Sequence, residues 1–127
     1  MKKGFTLLEL LVVIAIIGIL AAIGLGSYMT SRRKASDARA KANLREIQNA
    51  FEQFYTLNTD YPESGEAAAL FSDNRVPGGG DYAIDYGGTD YTACVVLEIE
   101  GSGNASDDSG TSATDGNFFC VWDLQGS

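Results

Sequence analysis

Histidine is absent from this 127-residue chain, and tryptophan occurs once. Without an imidazole the chain lacks the commonest general base and the commonest metal-binding nitrogen. No nucleophile motif, metal triad or phosphate-binding glycine loop takes its place, so the residues read as those of a protein that is not an enzyme. Cysteine occurs only at Cys94 and Cys120, too few to complete a four-ligand zinc site. From Phe5 to Ser31 the one formal charge is Glu9. Beyond residue 59 the scarce sign is positive: Arg75 is the one base against thirteen acids, a net of −12. Residues 1–59 hold eight basic and four acidic side chains, a net of +4. Affinity for phosphate comes from Lys and Arg, so the acidic C-terminal part argues against direct nucleic-acid binding.

What is present is led by the apolar run at residues 4–25, G-F-T-L-L-E-L-L-V-V-I-A-I-I-G-I-L-A-A-I-G-L, which follows the short basic stretch Met1-Lys2-Lys3. It is long enough to span a bilayer as a helix. It is too long for the core of an ordinary secretory signal and has no A-x-A-like exit. A plain membrane anchor explains the length but not Glu9, because a carboxylate near the bilayer centre costs about 2.5 kcal/mol or more. Lys2 and Lys3 on one side and Arg32, Arg33 and Lys34 on the other leave the orientation undetermined by charge alone.

The run closely resembles the class III leader and N-terminal helix of type IV pilins and type II secretion pseudopilins. The resemblance implies that a prepilin peptidase cuts between Gly4 and Phe5 and N-methylates Phe5. It implies that Glu9 pairs with the new N-terminal ammonium during assembly, which would give a costly acid a cationic partner. The implied partners are other copies of the same chain, the peptidase, and an inner-membrane platform with an assembly ATPase. The implied locations are the inner membrane for a single-pass precursor with its head outside, and an extracellular pilus or a periplasm-spanning pseudopilus once assembled. Gly26 stands where many pilins have a proline; Gly24 and Gly26 supply either local flexibility or close helix packing.

After the basic cluster, Leu44, Ile47, Phe51 and Phe54 recur on one helix face, extended backwards by Ala35, Ala38 and Ala42. Ser36 and Asp37 are weak cap candidates and no break is expected there. One helix is therefore expected from Phe5 to about Leu57, roughly 80 Å long, ending at Asn58-Thr59-Asp60-Tyr61-Pro62. A short helix is expected at residues 66–72, a strand at 81–86, an alternating strand at 91–99 and a partner strand at 117–124. Residues 77–80 read as a loop, and residues 101–117, without a large apolar side chain, as an exposed polar loop. The organisation is a leader at 1–4, an apolar assembly helix at 5–31, an amphipathic helix at 32–57 and an acidic head at 58–127. The fold class is α+β: a long helix whose amphipathic half packs on a small antiparallel sheet, a roll as in the pilin family.

Export of the head places Cys94 and Cys120 in an oxidising compartment, where a disulfide is expected. Many type IV pilins have a comparable C-terminal disulfide loop. Asp107, Asp108 and Asp115 share an oxygen-rich loop and are a candidate calcium site, with a precedent in major pseudopilins; the competing reading is a solvated surface loop. No other cofactor is expected. Asn104-Ala105-Ser106 fits a short glycosylation pattern. The aromatics Phe5, Tyr28, Phe51, Phe54 and Tyr55 read as packing residues, not as an electron-conducting stack. Residues 55–70 also resemble the stretch after the helix in major pseudopilins. The expected function is that of a structural subunit of a type IV pilus-like filament. The alternatives are a type II secretion pseudopilin, calcium-stabilised, and a membrane-anchored binding module left uncut at Gly4.

Overall fold

The computed structural model describes residues 4–125, apart from the side chains of Ser112 and Asp115. Met1, Lys2 and Lys3 of the expected leader lie outside the described residues. The chain divides into two units, Met1–Arg33 and Lys34–Ser127. One helix, α1, runs over Leu7–Asn58 through both, as the unbroken pattern predicts. It is the one helix long and apolar enough to cross a membrane among the described residues.

In the second unit, Leu44, Ile47 and Phe51 are fully buried on the side of α1 that faces the sheet. Each such side chain contributes about 1.5–3 kcal/mol when removed from water. α1 ends where Thr59 turns left-handed at φ 65° and its N–H bonds back to the Tyr55 carbonyl at 2.8 Å. Tyr61 and Pro62 then turn inward and are buried. A single turn, α2 at Ser64–Ala67, leads into a 3-10 turn at Ala68–Leu70, close to the expected short helix.

The sheet has five antiparallel strands: β1 Tyr82–Tyr86, β2 Tyr91–Val96, β3 Gly103–Ala105, β4 Ser112–Gly116 and β5 Phe118–Trp122. Their spatial order is β1-β2-β5-β3-β4. Alternation sends Tyr91, Ala93, Val95 and Val121 towards α1, where they join Leu44, Ile47 and Phe51 in the main core. Phe51 meets Tyr91 edge-on at 4.9 Å, Tyr91 meets Tyr61 at 4.8 Å, and Tyr61 stacks on Tyr55 at 4.7 Å. Of the five aromatics read as packing residues, Phe51 is a core residue, Tyr55 packs against the core, and Phe5 lies outside α1. Cys94 and Cys120 alternate to the opposite face and pair there in register, with Cα atoms 4.1 Å apart. The expected disulfide forms, and it packs with Ala105, Phe118 and Trp122 in a second small core.

Two expectations about the head are corrected. Residues 101–117 are not a free loop: they supply the β3–β4 hairpin, with β3 paired to both β4 and β5. Ala105 is buried against the disulfide, and close backbone contacts add to that hold. A Cβ at Gly103 would stand 2.0 Å from the Phe118 carbonyl oxygen, and one at Gly116 would stand 1.8 Å from that of Ala105. Glycine at these positions lets backbones approach where no side chain fits. Asn104 adds a side-chain rung: its Nδ2 donates to the Cys120 carbonyl at 2.9 Å, and its Oδ1 accepts from the Cys120 N–H at 2.7 Å.

The second correction concerns β2, which stops at Val96 instead of running to Ile99. The N–H groups of Glu98 and Ile99 donate to the Asp37 carboxylate at 2.8 and 3.1 Å, not to a strand. Asp37 is therefore no helix cap; it is a buried acid that terminates a strand. It begins a polar flank on α1: Lys41 donates to the Ser102 carbonyl at 2.7 Å, Gln48 to that of Trp122 at 2.9 Å, and Glu52 accepts from the Tyr61 hydroxyl and the Leu124 N–H, both at 2.9 Å. Burial and the bond to Glu52 raise the Tyr61 pKa above the usual phenol range, so this tyrosine stays neutral.

Truncating Asp37 to alanine strands two part-buried donors, each bonded to a charge. We expect Asp37→Ala to lower head stability by about 2–4 kcal/mol and Asp37→Asn, which keeps one acceptor, by less than half of that. Denaturant unfolding of the detergent-solubilised chain, followed by Trp122 fluorescence, measures both.

Candidate functional site

The residues expected to serve processing and assembly, Gly4, Phe5 and Glu9, lie in the first unit. Gly4, Phe5 and Thr6 precede α1 in non-helical backbone, and Phe5 is 77% exposed. The bond between Gly4 and Phe5 thus lies outside the helix. Thr6 is the residue before the first helical turn. Its N–H and its Oγ1 both donate to Glu9 Oε2, at 3.1 and 3.0 Å, and Glu9 N–H donates back to Thr6 Oγ1 at 3.3 Å. This is a reciprocal capping box: two otherwise unpartnered groups at the helix start satisfy each other. The carboxylate also lies at the positive end of the helix dipole. The T-L-L-E spacing at residues 6–9 carries this signal in the sequence, and the reading of Glu9 as a membrane-embedded acid passed over it. The apolar side chains that follow are exposed on all sides of the single chain, from Leu7 at 81% to Met29 at 50%.

The three aspartates of the candidate calcium loop have different situations. Asp107 lies in the turn between β3 and β4, where its Oδ1 accepts from Thr111 N–H at 3.0 Å, Ser109 Oγ at 2.8 Å and Ser109 N–H at 3.2 Å. One of its two oxygens is therefore committed to the turn. Asp108 is exposed, and the side chain of Asp115 lies outside the described residues. Among the described residues, no group of three or more His, Cys, Asp or Glu side chains is placed to hold a metal. Asn104 of the glycosylation pattern has both ends of its amide bonded to Cys120, which leaves no free acceptor amide.

Comparison with known proteins decides what this arrangement is. Residues 1–25 match the family model described as the prokaryotic N-terminal methylation motif. Residues 26–117 match the model described as type IV minor pilin ComP, DNA uptake sequence receptor, which covers well over half of the chain. The chain belongs to the type IV pilin family. The type IV major pilin protein PilE1 of Neisseria gonorrhoeae is 39% identical over 74 residues, 57% of this chain and 44% of the relative. The type IV major pilin protein PilA of Myxococcus xanthus is 38% identical over 62 residues, 49% of this chain and 28% of the relative. The type II secretion system core protein G of Escherichia coli is 35% identical over 65 residues, 51% of this chain and 45% of the relative. This pilin-family chain spans less than half the length of these three relatives.

The family consists of structural subunits, in keeping with a chain that offers no catalytic constellation. For this pilin the Asp107 turn is a matter of stability, and its titration is testable. The Thr111 N–H, then the Thr111 and Ser109 side chains, lower the Asp107 pKa from 3.8 to about 2. A carboxylate held down in this way contributes fully above its unfolded pKa and loses that contribution as pH falls through about 2. We expect Asp107→Ala to melt below the parent chain at neutral pH, with the two melting curves converging as pH approaches 2. Because the turn closes on its own hydrogen bonds, adding a chelator is expected to leave the parent's Tm unchanged. Thermal melts with and without EDTA check this.

Proposed function

We propose that this chain is the precursor of a structural subunit of a type IV pilus. A prepilin peptidase cuts it between Gly4 and Phe5 and methylates the new amino group, and copies of it polymerise through the apolar half of α1. The observation that carries the reading is the joint placement of a non-helical Gly4–Phe5 bond, a helix-starting Glu9 and an apolar segment exposed all round. Cleavage turns the Phe5 nitrogen into an ammonium one residue from the Thr6–Glu9 box. The same carboxylate oxygen that now accepts from Thr6 is then within the reach of a cation, its own or a neighbour's. In a dry helix bundle that pairing would offset the cost of burying the charged acid. The partners would be further copies of the chain, the peptidase and an inner-membrane assembly platform; the route would run from a single-pass precursor to an extracellular filament.

The relative from the type II secretion system supports a second reading, a pseudopilin whose filament stays short of the cell surface. The named pilins among the relatives support the first. The matching family is also described as a DNA receptor. Residues 34–127 carry five bases against sixteen acids, which opposes a phosphate-binding surface. We therefore expect purified filaments to retain little duplex DNA at physiological salt; tight retention would restore the receptor reading.

The test of the assembly role is Glu9→Ala in the native host. Filament yield in the sheared fraction is expected to fall at least about tenfold, consistent with an unpaired terminal ammonium costing several kcal/mol in a dry core, while the cut chain accumulates in the membrane. Filaments at normal yield from that variant would remove Glu9 from the mechanism.

A further inference from the structure

Four hollows on the surface of residues 34–127 differ sharply in charge. One holds Glu46, Asp73 and Arg75; another holds Asp37, Asp81, Glu98 and Arg39, so each sets a base among acids. A third, about 560 Å³ at the end of α1, contains Asp60, Glu63 and Glu66 and no base at all. The fourth, about 490 Å³, runs along α1 itself past Ala38, Lys41, Ala42, Arg45, Glu46 and Asn49. It alone of the four holds more bases than acids.

That fourth hollow is an unpartnered helix face. Lys34, Ala38, Ala42, Arg45 and Asn49 follow one another along α1 and all are exposed, on the side away from the buried Leu44, Ile47 and Phe51. The alanines leave room for close approach, and no large apolar side chain marks the face for lipid or for a hydrophobic partner. Lys41 is turned to the Ser102 carbonyl and lies 5.4 Å from the Phe119 ring centre, so it belongs to the head's own packing. Arg45 and Lys34 remain on the open side.

Resting on the filament reading above, this charge distribution poses a problem with a definite solution. Copies that carry sixteen acids and five bases in residues 34–127 repel one another when packed within a Debye length, about 8 Å at physiological salt. The repulsion falls most where a base-rich surface of one copy meets a base-free surface of the next. We propose that, in the filament, the Lys34–Arg45 face of α1 seats the Asp60, Glu63 and Glu66 surface of a second copy. The contact is heterologous, between different surfaces of identical chains, and such a contact propagates into an open helical polymer instead of closing into a dimer. Charge pairing of this kind sets register and partner choice more than raw affinity.

The test is a charge exchange in the full chain, expressed in the native host in place of its own copy. Arg45→Glu alone, and Glu63→Lys with Glu66→Lys, are each expected to reduce the sheared filament fraction about fivefold at low salt. Combining all three should return it to within about twofold of the parent, because restored complementarity is a coupling that independent surface effects do not show. Oxidised Cys94–Cys120 and protease resistance of the head verify that each variant folds. The proposal is overturned if the combined variant is no better than its parts, or if the parts change nothing. It is overturned in favour of nucleic acid if Arg45→Glu leaves filament yield intact and lowers DNA retention. A parent chain that is never cut and makes no filaments would instead bring down the filament reading itself.

Discussion

Water cannot cover the first half of α1. From Leu7 to Met29 the large apolar side chains are between 46% and 81% exposed, and no side of the helix is polar enough to face solvent. Fifteen such side chains, at roughly 1.5–3 kcal/mol each relative to water, exceed anything the head's small core can offset. The segment therefore exists only in a bilayer or among other helices like itself. The gain on moving from lipid to neighbouring helices is small, because lipid tails are as apolar as leucine. In the proposed assembly, bulk hydrophobicity therefore supplies little, and the segment's one charge is Glu9.

The head solves a different problem, that of building a domain from few large side chains. Its main core places Leu44, Ile47 and Phe51 against Tyr91, Ala93, Val95 and Val121, with a tyrosine cluster at one end. Around that core the polar residues of α1 replace missing strand partners. Asp37 takes two N–H groups beyond the end of β2, Gln48 reaches the Trp122 carbonyl, and Glu52 ties Tyr61 to Leu124. On the far face the Cys94–Cys120 bridge ties β2 to β5, and Asn104 fastens the β3–β4 hairpin to β5. Asp37, Gln48, Glu52 and Asn104 each have a backbone partner, as burial of polar groups requires.

Periodicity made the long helix, the Leu44, Ile47 and Phe51 part of its buried face and the alternation of β2 legible, whereas Ala35, Ala38 and Ala42, assigned to the same face, are exposed and Phe54 is half-buried. The α+β class followed from those elements. The N-terminal motif was legible for a different reason: an acid at Glu9 is so costly in an apolar run that it points to a specific use. What escaped the sequence was held by backbone and by lone polar groups. The β3–β4 hairpin has no apolar pattern; it depends on the close approach at Gly103 and Gly116 and on the Asn104 rung. Asp37 looked like a helix residue of no consequence because its partners lie more than sixty positions away. The Thr6–Glu9 box was readable from spacing, but the membrane reading of Glu9 obscured it.

The account's central claim is that this chain is cut at Gly4 and polymerised through what lies after it. Mass spectrometry on filaments sheared from the native host tests both at once. The account predicts an N-terminal peptide that begins with N-methyl-Phe5 in the extracellular fraction. A chain that keeps its Met1 or Lys2 start, in cells with a working prepilin peptidase, would contradict it.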